Sequence, residues 1–164
     1  MQNQVNDLRS AIELLKGIPG QYIETDVEVD PIDELSGVYR RIGSGGTVKR
    51  PTRLGPAMTF NAIKGHPGAR VHIGLLASRK RVGYLLGCDP KRLGFLLNEA
   101  VDRPVAPVEV GADKALCQEV VYRAEDEDFD IRTILPAPTN TPDDAGPYLT
   151  LGMCYAHDPE TGVH

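Results

Sequence analysis

Three runs stand almost end to end in this chain and decide its fold class: Pro56-Ala57-Met58-Thr59-Phe60-Asn61-Ala62-Ile63, then Gly65-His66-Pro67-Gly68, then Arg70-Val71-His72-Ile73-Gly74-Leu75-Leu76. The outer two are short apolar runs that read as strands, and the glycine- and proline-bearing quartet between them reads as a turn. Helical patterns flank this strand pair. Upstream, Leu8, Ala11, Ile12 and Leu15 make an i, i+3, i+4, i+7 stripe, which predicts an amphipathic helix begun by Asn6 or Asp7 and stopped at Gly17. Residues 22–29 alternate loosely, as expected of a strand with one wet face. Asp30-Pro31 predicts a second helix through Leu35, Val38, Tyr39 and Ile42, with proline in its favoured first-turn position and Gly43-Ser44-Gly45-Gly46 as its end. Downstream, Ser78 is the expected cap of a helix through Val82, Leu85 and Leu86. Asp89-Pro90 then repeats the helix start, with Leu93, Leu96, Leu97, Ala100 and Val101 as a buried face. The order α-β-α-β-β-α-α predicts a layered α/β domain with a mixed sheet over residues 1–115.

The texture changes after Arg103. Residues 105–110 are proline-interrupted and extended, Cys117 to Tyr122 is strand-like, and Glu125 to Asp130 is an acidic loop or turn. Pro136, Pro138, Pro142 and Pro147 leave no room for a helix over residues 135–147. Tyr148 to Ala156 reads as a strand and Asp158-Pro159-Glu160-Thr161-Gly162 as a β-turn. A turn of that kind leads the reader to expect a returning strand, so residues 116–164 are expected to open a second, β-rich domain of a longer protein.

Of the 164 residues, 41% are hydrophobic and 25% charged, which excludes the disordered class. The net charge of -5 hides an asymmetry: residues 40–92 carry 12 basic side chains and 1 acidic one, and both flanks are acidic. No run approaches the roughly 18–20 apolar residues that cross a bilayer. The first residues lack the basic and apolar regions of a secretory leader, and the cytoplasm is the expected compartment. Cys88, Cys117 and Cys154 are too few and too widely spaced for a disulfide framework or a paired-cysteine zinc site, so partly buried free thiols are expected.

The residues by themselves name no chemistry. Gly43 to Lys49 fails the spacing of a phosphate-binding loop. Lys49-Arg50-Pro51-Thr52-Arg53 and Arg79-Lys80-Arg81 could contact phosphates, but a pI near 5.3 and 5% aromatic residues argue against a nucleic-acid partner. His66, His72, His157 and His164 lack metal-ligand spacing, and no G-x-S-x-G elbow is present. Two non-catalytic readings stay open: an interaction module whose basic face over residues 40–92 docks acidic partners, and an anion-binding module using Lys49, Arg50 and Arg53.

Several ordered strings carry a resemblance. Asp7-Leu8-Arg9, Val29-Asp30-Pro31, Gly55-Pro56-Ala57-Met58-Thr59-Phe60, Lys64-Gly65-His66-Pro67-Gly68, Ala77-Ser78-Arg79 and Leu135-Pro136-Ala137-Pro138-Thr139-Asn140-Thr141-Pro142 resemble, in order, the UbiD-type decarboxylases. Gly45 to Arg53 further resembles the family's phenolic-acid branch, nearest to enzymes acting on 3,4-dihydroxybenzoate (protocatechuate). The resemblance implies an N-terminal α/β domain followed, over residues 116–164, by the first strands of a split β-barrel cofactor domain. It implies a carboxy-lyase that uses prenylated FMN with a divalent metal, manganese, and potassium. It also implies a small aromatic acid as substrate, with protocatechuate, gallate and 4-hydroxybenzoate all open, a flavin prenyltransferase as cofactor supplier, and a homo-oligomer. The family's catalytic Arg and Glu and its Asn, His and Glu metal ligands align beyond His164, so no catalytic or metal-binding residue is assigned within this chain. These 164 residues are expected to be inactive, and to hold no cofactor, by themselves. Thr150, Leu151 and Gly152 match the strand beside the flavin and are the candidate cofactor-binding residues.

Overall fold

A computed structural model describes residues 5–42, 55–126, 129–152 and 156–163. Its elements are α1 (Leu8–Lys16), β1 (Tyr22–Thr25), α2 (Glu34–Ile42), β2 (Ala57–Phe60), β3 (Val71–Ile73), α3 (Arg79–Leu86), α4 (Leu93–Asp102) and a short α5 (Ile131–Ile134), with three single 3-10 turns between α3 and α5. The sheet is mixed, in the order β1-β2-β3: β1 runs parallel to β2, and β3 antiparallel to it. The expected α/β class and the element order through α4 are both present.

Local chemistry accounts for the boundaries. Asp7 starts α1 through a capping box: its carboxylate accepts from the Ser10 amide at 2.7 Å, and the Asp7 amide donates to Ser10 Oγ at 3.1 Å. The helix buries Ala11, Ile12 and Leu15 and ends at Gly17. The strand pair turns at Gly65 and Gly68, whose φ of 80° and 76° lie where side chains bearing a Cβ are strained.

Every residue of β2 is buried, so the strand supports a core on each face. Alternation sends Ala57 toward α1, where it packs with Ile12, Leu15 and Leu75. Met58 and Phe60 point the other way, into a cluster with Val29, Leu35 and Ile63 under α2.

Several expectations need correction. The second helix begins at Glu34, three residues after Pro31. Asp33 sits at φ 66°, and residues 31–33 pair instead with Thr139: the Asp33 amide donates to Thr139 O at 2.8 Å and the Thr139 amide to Pro31 O at 3.1 Å. Ser78 occupies the cap position of α3 without a side-chain cap bond. Asp89 caps the 3-10 turn Pro90–Arg92, and α4 proper starts at Leu93. Of the face expected to be buried on α4, only Leu93 is buried, and Leu97 and Val101 are 56% and 78% exposed. Residues 117–122 and 148–152 form no strand. A strand needs a neighbour for its ladder, and the described residues offer none there. The described start of the acidic run is a turn, as expected, and Asp130 caps α5 through the Arg132 amide. The terminal turn is as expected: Asp158 Oδ1 accepts from the Glu160 and Thr161 amides, and Gly162 takes φ 70°.

Arg81 is also not the surface charge its neighbours suggest. It is fully buried, and its guanidinium donates to the carbonyls of Gly74 and Gly55, tying α3 to the strand ends on both sides of the turn. Burial pushes its pKa down. Replacing Arg81 with Met strands both carbonyls and is expected to cost about 1–3 kcal/mol in thermal unfolding. Arg81→Lys should not restore the loss, because a compact ammonium lacks the two-pronged reach of the guanidinium. Gly74→Ala should also destabilise, since φ is 76° and the new Cβ would collide with Tyr39 Oη.

Candidate functional site

Because β3 is an edge strand, its far side needs cover, and residues 135–152 supply it. That segment is held at both ends of its first half. Ser36 Oγ donates to Asn140 Oδ1 at 2.5 Å from the first turn of α2, beside the Thr139 pairing described above. The Asp144 carboxylate accepts from the Asn140 and Thr141 amides, each at 3.0 Å, and from the Thr141 hydroxyl at 2.9 Å. The hydroxyl is the main cause that holds the Asp144 pKa below the ordinary value. The Tyr148 amide closes the loop onto Pro138 O at 3.2 Å.

Between β3 and this loop lies a cleft of about 690 Å³. Its walls are mainly apolar, with Val71, Ile73 and Leu75 on one side and Leu135, Leu149 and Leu151 on the other. Arg70, His72, Asn140 and Thr150 add polar groups.

His72 has an arrangement behind it. The strand register places Glu24, Thr59 and His72 in one row across β1, β2 and β3, on the same face of the sheet. Thr59 Oγ1 lies 2.7 Å from His72 Nδ1 and 2.6 Å from Tyr22 Oη, and Tyr22 Oη lies 3.0 Å from Glu24 Oε2. Lys16 Nζ stands 3.7 Å from the same Glu24 oxygen and over the Tyr22 ring. Burial, and secondarily the Arg70 charge, pushes the His72 pKa down, and burial raises that of Tyr22. His72 therefore stays neutral at physiological pH.

Thr150, Leu151 and Gly152 all line the cleft, the first two in a turn, and among the described residues a Cβ added at Gly152 would meet Leu149 O at 3.9 Å. Lys49, Arg50, Arg53 and the Gly43 to Lys49 loop lie outside the described residues, as do Cys154 and His164. The run 79–81 is not one basic surface: Arg79 donates to Pro90 O and Arg81 is internal. Cys88 and Cys117 are free thiols, half-buried and exposed. Among the described residues, no three His, Cys, Asp or Glu side chains gather as a metal site, and no helix is long and apolar enough to cross a membrane. The row through Thr59 escaped the sequence reading. Its signal is a lone hydroxyl inside a fully apolar strand, which requires a partner on a neighbouring strand.

Residues 15–101 match the family model of the 3-octaprenyl-4-hydroxybenzoate carboxy-lyase N-terminal domain, and residues 108–164 match that of its Rift-related domain. The chain belongs to the UbiD family. Gallate decarboxylase of Lactiplantibacillus plantarum is 57% identical over 155 residues, 94% of this chain and 32% of its own length. The apo structure of a 3,4-dihydroxybenzoic acid decarboxylase from Enterobacter cloacae superposes with a TM-score of 0.88 at 61% identity, covering 98% of this chain and 33% of that one. An evolved dimeric form of the UbiD-class enzyme HmfF from Pelotomaculum thermopropionicum, in complex with prFMN, gives 0.78 at 28% identity over 95% of this chain and 33% of that one. The chain thus spans about a third of the length of these relatives. The resemblance read from the motif strings is borne out, and the Lactiplantibacillus plantarum and Enterobacter cloacae relatives are decarboxylases.

The lowered His72 pKa has a consequence for UbiD-family stability that can be measured. The unfolded value is near 6.5 and the folded value lies below it. The neutral ring's contribution is therefore fully present above 6.5 and is lost as pH falls through the folded value. Thermal unfolding of the native chain should weaken on acidification through this range, and His72→Gln should flatten that part of the profile.

Proposed function

We propose that this chain forms the N-terminal α/β domain, residues 1–115, and the opening of the flavin-binding domain, residues 116–164, of a carboxy-lyase that removes CO2 from a hydroxylated aromatic acid. The observation that carries the reading is the 57% identity to a gallate decarboxylase across 94% of the chain. Protocatechuate and gallate are the proposed substrates, by analogy with the named relatives.

The cleft suits a small-molecule ligand. About 690 Å³ falls within the ~300–1,000 Å³ range of small-molecule sites, and the mixture of leucine walls with a few polar groups is typical of them. Thr150, Leu151 and Gly152 are the proposed flavin-side residues: a hydroxyl that can donate or accept, an apolar wall, and a position without a side chain where a ring can approach the backbone. When bound, prenylated FMN supplies the electron sink for carbon–carbon bond cleavage. This chain's residues bind and orient, with the Asp144-closed loop setting the position of the far wall. No metal ligand is assigned among the described residues, and the manganese and potassium of the proposed holoenzyme are not routed through them. The proposal extends to a cytoplasmic homo-oligomer charged by a flavin prenyltransferase, and to inactivity of residues 1–164 alone.

A chimera tests the reading. Replacing the matching third of the Lactiplantibacillus plantarum gallate decarboxylase with this chain should preserve CO2 release from gallate, and a folded but inactive chimera would sink the proposal. In that chimera Gly152→Val should weaken flavin binding about tenfold, ~1.4 kcal/mol, measured by flavin fluorescence quenching. Residues 1–164 mixed with prenylated FMN, Mn2+, K+ and protocatechuate should release no CO2.

A further inference from the structure

We propose that His72 is the polar recognition residue of the cleft, held as the Nδ1–H tautomer by a hydrogen-bonded sequence that runs from buried Thr59 through half-buried Tyr22 to Glu24 at the rim, so that its Nε2 accepts a hydrogen bond from an O–H or N–H on a planar ligand.

Protons are few along this chain of close oxygen and nitrogen atoms, and that fixes their positions. Tyr22 carries one hydroxyl proton and lies within hydrogen-bond distance of both Glu24 Oε2 and Thr59 Oγ1. A carboxylate with Lys16 beside it has no proton to give, so the Tyr22 proton goes to Glu24. The Tyr22 oxygen is then an acceptor, and the Thr59 hydroxyl donates to it. Thr59 Oγ1, its own proton spent, accepts from His72 Nδ1 at 2.7 Å. A neutral imidazole has a single N–H, so Nε2, on the opposite edge of the ring, keeps its lone pair. Thr59 is 1% exposed, which keeps water from breaking the sequence at its centre. The far end is fixed by a charged group at the sheet rim, and the near end opens on a mostly apolar cleft. Thr59 and Tyr22 are positioning residues; His72 is the group that meets the ligand.

The ligand class follows from the acceptor and the leucine-lined walls: a flat ring that carries a hydrogen-bond donor. The flavin ring system and a hydroxylated benzoate share that chemistry. The choice between them rests on the function proposed above, whereas the tautomer does not.

Long-range proton–nitrogen NMR of the 15N-labelled chain at neutral pH reads the ring directly, with His72→Gln for assignment. Wild type should show His72 protonated on Nδ1. Thr59→Val should abolish that preference and Thr59→Ser should keep it, an outcome that loss of packing alone would not produce. Should Thr59→Val not fold, Tyr22→Phe at the half-buried rim cuts the same sequence and should also weaken the preference. An Nε2–H ring in wild type overturns the proposal. FMN and protocatechuate are then titrated separately into the 15N-labelled gallate decarboxylase chimera, in which the rest of the flavin-binding domain is present. A shift of His72 Nε2 with one of them, Nδ1 staying protonated, supports the proposal and identifies the source. Amide shifts at residues 150–152 with a silent Nε2 overturn the role of His72 and leave the flavin reading standing. No response to either probe at either place counts against both.

Discussion

A strand with no solvent access at any of its four positions is the constraint on which this fold depends. Ala57, Met58, Thr59 and Phe60 are 1–3% exposed, so β2 must be covered on both faces and paired on both edges. The helices α1 and α2 meet the first requirement and β1 and β3 the second. Burial at that depth makes a hydroxyl costly unless it is bonded. Thr59 resolves this by reaching His72 directly across on β3 and Tyr22 diagonally on β1, and the polar line from Glu24 to His72 is the result. The site's polar residue and the core's stability therefore share one cause.

The second tie is Arg81. A buried guanidinium normally pairs with a carboxylate, yet here its two donors end on main-chain carbonyls at either side of the strand pair. It locks the start of α3 against the entry to β2 and the exit from β3, and so holds the edge of β3 where the cleft begins. Gly74, at φ 76° beneath the Tyr39 ring, is the other half of that corner, because only a residue without a Cβ fits there.

Much of this was readable in the residues. The apolar stripe of α1, the glycine-marked turn and the order of elements through α4 follow from local periodicity and backbone chemistry, which act over a few neighbours. The helix α2 starts later than local pattern predicts because the Pro31 carbonyl and the Asp33 amide bond to Thr139, a partner more than a hundred residues away that no local pattern signals. Residues 117–122 and 148–152 have strand composition but no ladder partner among the described residues, and composition alone does not make a strand. The candidate trio 150–152 came from resemblance alone, and its place along the cleft became visible only in three dimensions. Nothing local marks His72, since the threonine opposite it is adjacent only through register.

The anchoring of the far wall carries one more consequence, and it concerns the order in which the molecule assembles. Ser36 and Asn140 are separated by 104 positions, whereas β2 and β3 join through a turn of about ten residues. Closing the longer loop costs more chain entropy and must wait for both ends to acquire their shape. The sheet and its two cores are therefore expected to form first, with the cleft completed in the last stage of folding. A ligand that bridges the two walls would act on that final step, slowing the reopening of the cleft more than the unfolding of the sheet beneath it.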